Sequence, residues 1–297
     1  MVKTLLDFSI PPLTFVMLAS VGLALTGEDF ARVRRQPGVV ATGLIGPLVL
    51  LPAIAVGLVW LLEPAPEMAA ALLLVAACPI GGISNAYSQF ARASTALSVA
   101  LTGLSCLLAS VTIPALGHVF ALVWGQTIDV RVPLTLLFGQ LLVMLTLPVG
   151  LGVWVRRRWP VVARRYGPPL QRLSFIGIAI VLLLLLLDDP AGFLRSLVIT
   201  APLAAAFILC SGATGWAMGT VVSGDPRDRF TLAAEFATRN LGVAMAIAVT
   251  LLGRVEFARF AYTYFLVEIP LMVTAIRLFR QHQSRAALRV ARTEPIV

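Results

Sequence analysis

Charge is what this chain has least of. Only 12% of its 297 residues are charged, while 59% are hydrophobic and the mean hydropathy is +0.94. A soluble domain of this length would carry about a quarter charged residues. That excludes an ordinary soluble protein and indicates an integral membrane protein. No long polar segment interrupts the sequence, so a single membrane domain over 1–297 is expected. Cysteine is also scarce. Cys78, Cys106 and Cys210 lie in apolar runs without metal-ligand spacing, which excludes a disulfide framework and reads as buried small residues. A Walker loop, a dinucleotide fingerprint and a recognisable catalytic triad are all missing. An enzyme or an ATP-driven pump within this chain is therefore not expected, and no organic cofactor is implied.

What is present is apolar sequence in long stretches. About 20 apolar residues cross a bilayer as a helix. Nine candidate spans follow: 10–27, 38–62, 67–91, 94–124, 131–155, 169–188, 195–221, 226–253 and 256–279. An odd number places the termini on opposite sides. Of the 23 basic residues, seventeen fall on the side holding Arg32, Arg34, Arg35, the 156–172 link and the carboxy-terminal tail. Five fall opposite: Lys3, Arg131, Arg195, Arg254 and Arg259. Basic residues collect in the cytoplasm, so the amino terminus is expected outside and the carboxy terminus inside. The same arginines account for the net charge of +9 without nucleic acid as a partner. Asp7, the absence of an A-x-A site and the following RVRR favour an uncleaved first span over a signal peptide.

Two spans are unusual. Residues 78–85 read CPIGGISN. Pro79 removes a backbone donor, and Gly81 and Gly82 favour non-helical geometry, so a break near mid-membrane is expected. Unwound backbone survives at that depth only beside protein or a watery cavity, and transporters use such breaks to bind ions and substrates. Residues 234–241 read AEFATRNL and hold Glu235, Thr238, Arg239 and Asn240 inside an apolar stretch. The two interrupted segments sit in comparable places near the two ends of the chain, which suggests structural repeats crossing at a central site. Glu268, in YFLVEIP, is a further ionisable group at membrane depth and so a functional candidate, here for a proton site. His118 reads as an interfacial residue.

The run CPIGGISNAYSQFARASTALSVALT resembles the signature of the bile acid:sodium symporter family, and EFATRNLGVA resembles the family's second signature. The likeness extends over nearly the whole chain, from GLALTGEDFARVRRQP onward. It implies an all-α membrane protein built of two inverted repeats, divided into core and panel domains, with the first helix of the ten-helix form missing. A composition rich in alanine, arginine and leucine suggests a bacterial inner membrane.

The resemblance also implies a sodium site. Its matching positions are Ser84, Asn85, Ser98, Thr102 and Glu235, all bearing the oxygens a hard cation requires. At the family's second sodium site, the two glutamine positions fall here on Pro47 and Arg239. Proline has no side-chain oxygen and arginine only donates, so sodium could not be liganded there. Arg239 is then expected to replace the second sodium as a tethered cation, paired with Glu235 if the helix stays regular between them. Asn85, Thr238, Arg239 and Asn240 are the candidate substrate contacts. The implied function is sodium-coupled symport of a small organic anion by alternating access. Three alternatives stay open: a sodium-independent or proton-coupled carrier, an arsenite-type efflux permease using Cys78, and a receptor without transport.

Overall fold

The computed structural model describes residues 2–27, 35–124 and 134–293. Arg32, Arg34 and Arg131, which enter the charge count above, lie outside the described residues. Among the described residues there is no β-strand, and helices follow one another with short links. They are α1 (Val2–Ala24), α2 (Pro37–Leu62), α3 (Pro66–Ala77), α4 (Ile83–Phe90), α5 (Thr95–Trp124), α6 (Leu134–Leu141) and α7 (Leu147–Arg158). Then come α8 (Pro160–Asp188), α9 (Pro190–Val222), α10 (Pro226–Ala237), α11 (Leu241–Ala246) and α12 (Val255–Thr293). A π-helical turn, Leu142–Thr146, joins α6 to α7, and another, Ile247–Leu251, follows α11.

Proline and acidic caps punctuate this order. Pro37, Pro66, Pro160, Pro190 and Pro226 open five of the helices, where a missing N–H is harmless. Asp189 accepts from Gly192 N (2.9 Å) and Asp225 from Arg227 N (2.8 Å), capping α9 and α10. The sequence placed a long basic link at 156–172. Instead α7 runs to Arg158 and α8 starts at Pro160, so Arg164, Arg165 and Arg172 stand on a helix.

Among the described residues, five helical stretches are long and apolar enough to cross a bilayer, and their most apolar windows are only 28–56% buried within the protein. Trp60, Val198, Val221 and Leu278 point outward. An apolar outer face of this extent suits lipid, and the chain is an all-α membrane protein.

The helices pack in two groups. In the smaller, α1 lies against α7 and α8. A Cβ on Gly22 would meet the Val149 carbonyl oxygen at 2.2 Å, and one on Gly152 the Ala19 carbonyl oxygen at 2.3 Å. Small residues let the two backbones touch, the usual device where lipid supplies no hydrophobic drive between helices. In the larger group α9 packs on α10, α12 and α2, while α5 packs on α4, α10 and α2. The groups meet where α1 touches α11: Thr14 Oγ1 donates to the Gly242 carbonyl at 3.3 Å.

Candidate functional site

Two helices are broken in the larger group. Helix α3 stops at Ala77, Cys78 turns extended (φ −67°, ψ 151°), and α4 starts again at Ile83. Helix α10 stops at Ala237, Thr238 turns extended (φ −102°, ψ 124°), and α11 starts at Leu241. The two links cross and pair. Ile80 and Arg239 form an antiparallel bridge, and Asn240 N donates to the Pro79 carbonyl at 2.8 Å. Ile80 N donates to Ser105 Oγ at 3.1 Å, and Asn240 Oδ1 accepts from Val243 N at 3.1 Å to cap α11. The links thus satisfy each other's backbone in a place where water does not. Gly81 is required by this contact: a Cβ there would come within 2.5 Å of the Arg239 carbonyl oxygen.

The five candidate sodium ligands come together beside the crossing. Glu235 lies in the last turn of α10, Ser84 and Asn85 in the first turn of α4, and Ser98 and Thr102 one turn apart on α5. Ser98 Oγ donates to the Glu235 carboxylate, and Thr102 Oγ1 stands 3.4 Å from its other oxygen. Asn85 Oδ1 is 2.8 Å from Ser98 Oγ and 3.3 Å from Thr102 Oγ1. Ser84 Oγ is 3.5 Å from Ser98 Oγ and 3.3 Å from Thr102 Oγ1. Ser84, Ser98, Thr102 and Glu235 are fully buried, and Asn85 is half-buried. One carboxylate with an amide and three hydroxyls around it is a donor set for a hard monovalent cation.

Arg239 does not pair with the Glu235 carboxylate as the i, i+4 spacing suggested. The helix ends before it, so the regular geometry that would bring the side chains together is gone. The guanidinium folds back onto backbone oxygens instead. Nη2 donates to the Glu235 carbonyl and lies 3.4 Å from the Phe236 carbonyl, while Nη1 lies 3.4 Å from the Cys78 carbonyl. Arg239 is buried, and among the described residues its Nε lacks a hydrogen-bond partner. Pro47 is buried on α2, and its neighbour Gly46 lies against the Phe236 ring. Thr238 and Asn240 are buried at the crossing, where Thr238 faces Glu268 and Asn240 faces Cys106; among the described residues Thr238 Oγ1 and Asn240 Nδ2 make no hydrogen bond of good geometry. Glu268 is fully buried on α12, facing Tyr87 and Thr238, and so joins the crossing. His118 stays apart from it, near the end of α5.

Several supporting residues escaped the sequence reading. Ser94 donates from its hydroxyl to Asp228 and from its N–H to Thr231 Oγ1 (3.1 Å), tying the α4–α5 link to α10. Asp228, Thr231 and Glu235 recur at helical spacing, a polar stripe visible in the sequence. Tyr264 donates to the Ala237 carbonyl at 2.5 Å, holding the end of α10. Gln171 reaches the crossing from α8: its amide nitrogen would stand 3.8 Å from a Cβ on Gly82. Nothing local in the sequence marks Tyr264 or Gln171.

Two broken helices crossing beside a buried oxygen cluster are the architecture of a membrane transport protein. Comparison with known proteins narrows this. The sodium bile acid symporter family matches residues 11–189, and the chain belongs to that family. An uncharacterized sodium-dependent transporter of Bacillus subtilis, YocS, is 28% identical over 237 residues, 78% of this chain and 71% of that one. A probable chloroplastic sodium/metabolite cotransporter of Oryza sativa, BASS2, is 36% identical over 118 residues, 40% of this chain and 27% of that one. The human sodium-dependent organic anion transporter is 32% identical over 126 residues, 42% of this chain and 33% of that one. The chain thus spans a third or less of these last two proteins. The family and these relatives are transporters, not enzymes.

Proposed function

We propose that this protein is a secondary transporter that moves a small organic anion together with one sodium ion. The sodium binds at Ser84, Asn85, Ser98, Thr102 and Glu235. Arg239 stands as a fixed cation where the family resemblance implies a second sodium. The observation that carries the reading is the guanidinium itself, bonded to the carbonyls of Glu235, Phe236 and Cys78. Carbonyls exposed by a broken helix are natural cation ligands, and here a side-chain cation already takes them. Pro47 and Arg239, the two positions the resemblance implies for the second sodium site, offer sodium no side-chain oxygen. The Glu235 carboxylate is left to the hydroxyl and amide cluster, which suits one monovalent ion.

The anion is read as meeting Asn85, Thr238, Arg239 and Asn240 at the crossing, with Gln171 facing it from the other helix group. The Arg239 Nε–H, without a partner among the described residues, is the donor left to meet a carboxylate or sulfonate oxygen. Alternating access follows if the α1–α7–α8 group moves against the larger one about this point. The relatives' sodium-dependent names support the coupling ion, and the name of the human relative supports the substrate class. We further read the chain as one membrane domain of a bacterial inner membrane, with the amino terminus outside. Equilibrium binding of radioactive sodium to the purified protein tests the central part. One sodium per chain is expected, lost in Glu235→Gln. Two sodium ions per chain, or undiminished binding in Glu235→Gln, would contradict it.

A further inference from the structure

Glu268 stands apart from the sodium cluster and asks for its own explanation. It lies about a third of the way along α12 and is fully buried. Its carboxylate faces the buried hydroxyls of Tyr87 and Thr238, close enough to interact, although among the described residues none of these atoms makes a hydrogen bond of good geometry. Tyr87 comes from α4, just past the first break, and Thr238 belongs to the second link itself. The remaining ionisable groups facing Glu268 are Tyr264, one turn earlier on α12, and Arg239. Tyr264 is committed to the Ala237 carbonyl, and the Arg239 guanidinium to the three carbonyls named above. Among the described residues, then, no side chain neutralises Glu268 by direct contact.

The charges at the crossing define what is needed. Glu235 and its sodium cancel. Arg239 and an ionised Glu268 cancel. An incoming monovalent anion would leave one negative charge uncompensated in an apolar, water-poor place, which is costly. One proton on Glu268 restores neutrality and turns its carboxyl into a donor for the Tyr87 and Thr238 hydroxyl oxygens that face it.

We propose that Glu268, with Tyr87 and Thr238, forms a proton-binding site, a second coupling site that takes a proton rather than sodium. The proton comes from the water on the side where the anion enters and leaves with it on the other. This rests on reading Arg239 as a fixed cation. It keeps two positive ions per cycle while moving one of the two positions from Pro47 and Arg239 to α12.

The test needs neither a known substrate nor bound sodium. Wild-type protein in lipid is stepped through pH and followed by infrared difference spectroscopy for the carbonyl band of a protonated carboxyl. A titrating band is expected that Glu268→Gln removes and Tyr87→Phe shifts. An identical band in wild type and Glu268→Gln overturns the proposal. If Glu268→Gln fails to elute as a monodisperse species, Tyr87→Phe decides: a shifted band supports the site and an unshifted band overturns it. Sodium binding by the wild type is read separately, so failure of the one-sodium reading shows there and not in the infrared band.

Discussion

Glu235 divides its work between two partners through different atoms. Its carboxylate turns to Ser98 and Thr102, and its carbonyl receives Arg239. One residue thus touches both the cluster read as a sodium site and the guanidinium read as a tethered cation. The hydroxyls of Ser98 and Thr102 each touch Glu235, Asn85 and Ser84, and Ser98 makes the closer contacts with Glu235 and Asn85. Removing it leaves a buried carboxylate short of a donor. Loss of a hydrogen bond to a charged group costs about 1.5–3 kcal/mol, so Ser98→Ala should weaken sodium affinity by roughly tenfold to a hundredfold. A sodium titration of both proteins checks this, and Thr102→Ala should show a smaller loss because its contact with Glu235 is longer.

At the scale of elements, the crossing depends on close backbone approach. Gly81→Val places a branched side chain against the Arg239 carbonyl and should cost about 1–3 kcal/mol by overpacking. The thermal midpoint in detergent should fall. Gly57→Ala, on α2 with nothing within 4 Å, should not lower it. The first break was legible in the sequence because Pro79, Gly81 and Gly82 each oppose a helix for a local reason. The second break was not legible in that way. Thr238, Arg239 and Asn240 carry no backbone signal of their own, and only their polarity in an apolar run gave the place away. They are extended because Pro79 and Ile80 supply hydrogen-bonding partners from 160 residues upstream, a reason no local pattern contains. The expected Glu235–Arg239 pair failed for the same cause, since the turn that would have joined them is unwound. Tyr87 and Tyr264 became part of the site only through packing, Tyr264 by its bond to the Ala237 carbonyl.

At the scale of the whole molecule, two helix groups share one seam beside the crossing. The Thr14–Gly242 contact bridges that seam, and Gly242 also lies against the Met17 methyl group. If the groups move against each other, a covalent bridge here should stop transport without unfolding the protein. A Thr14→Cys/Gly242→Cys pair, in a background with Cys78, Cys106 and Cys210 replaced by alanine, should lose uptake on crosslinking and regain it on reduction. Uptake that persists in the crosslinked protein would show that the seam does not open during the cycle.

The central claim is that Arg239 stands in for a sodium ion, and the sodium dependence of uptake tests it most directly. Reconstituted wild type and an Arg239→Gln/Pro47→Gln double variant would be compared across a panel of organic anions at varied sodium. The account predicts a Hill slope near one for the wild type and a steeper slope for the double variant, which regains two side-chain oxygens. A demonstrably active wild type indifferent to sodium would contradict it, as would a wild-type slope already near two.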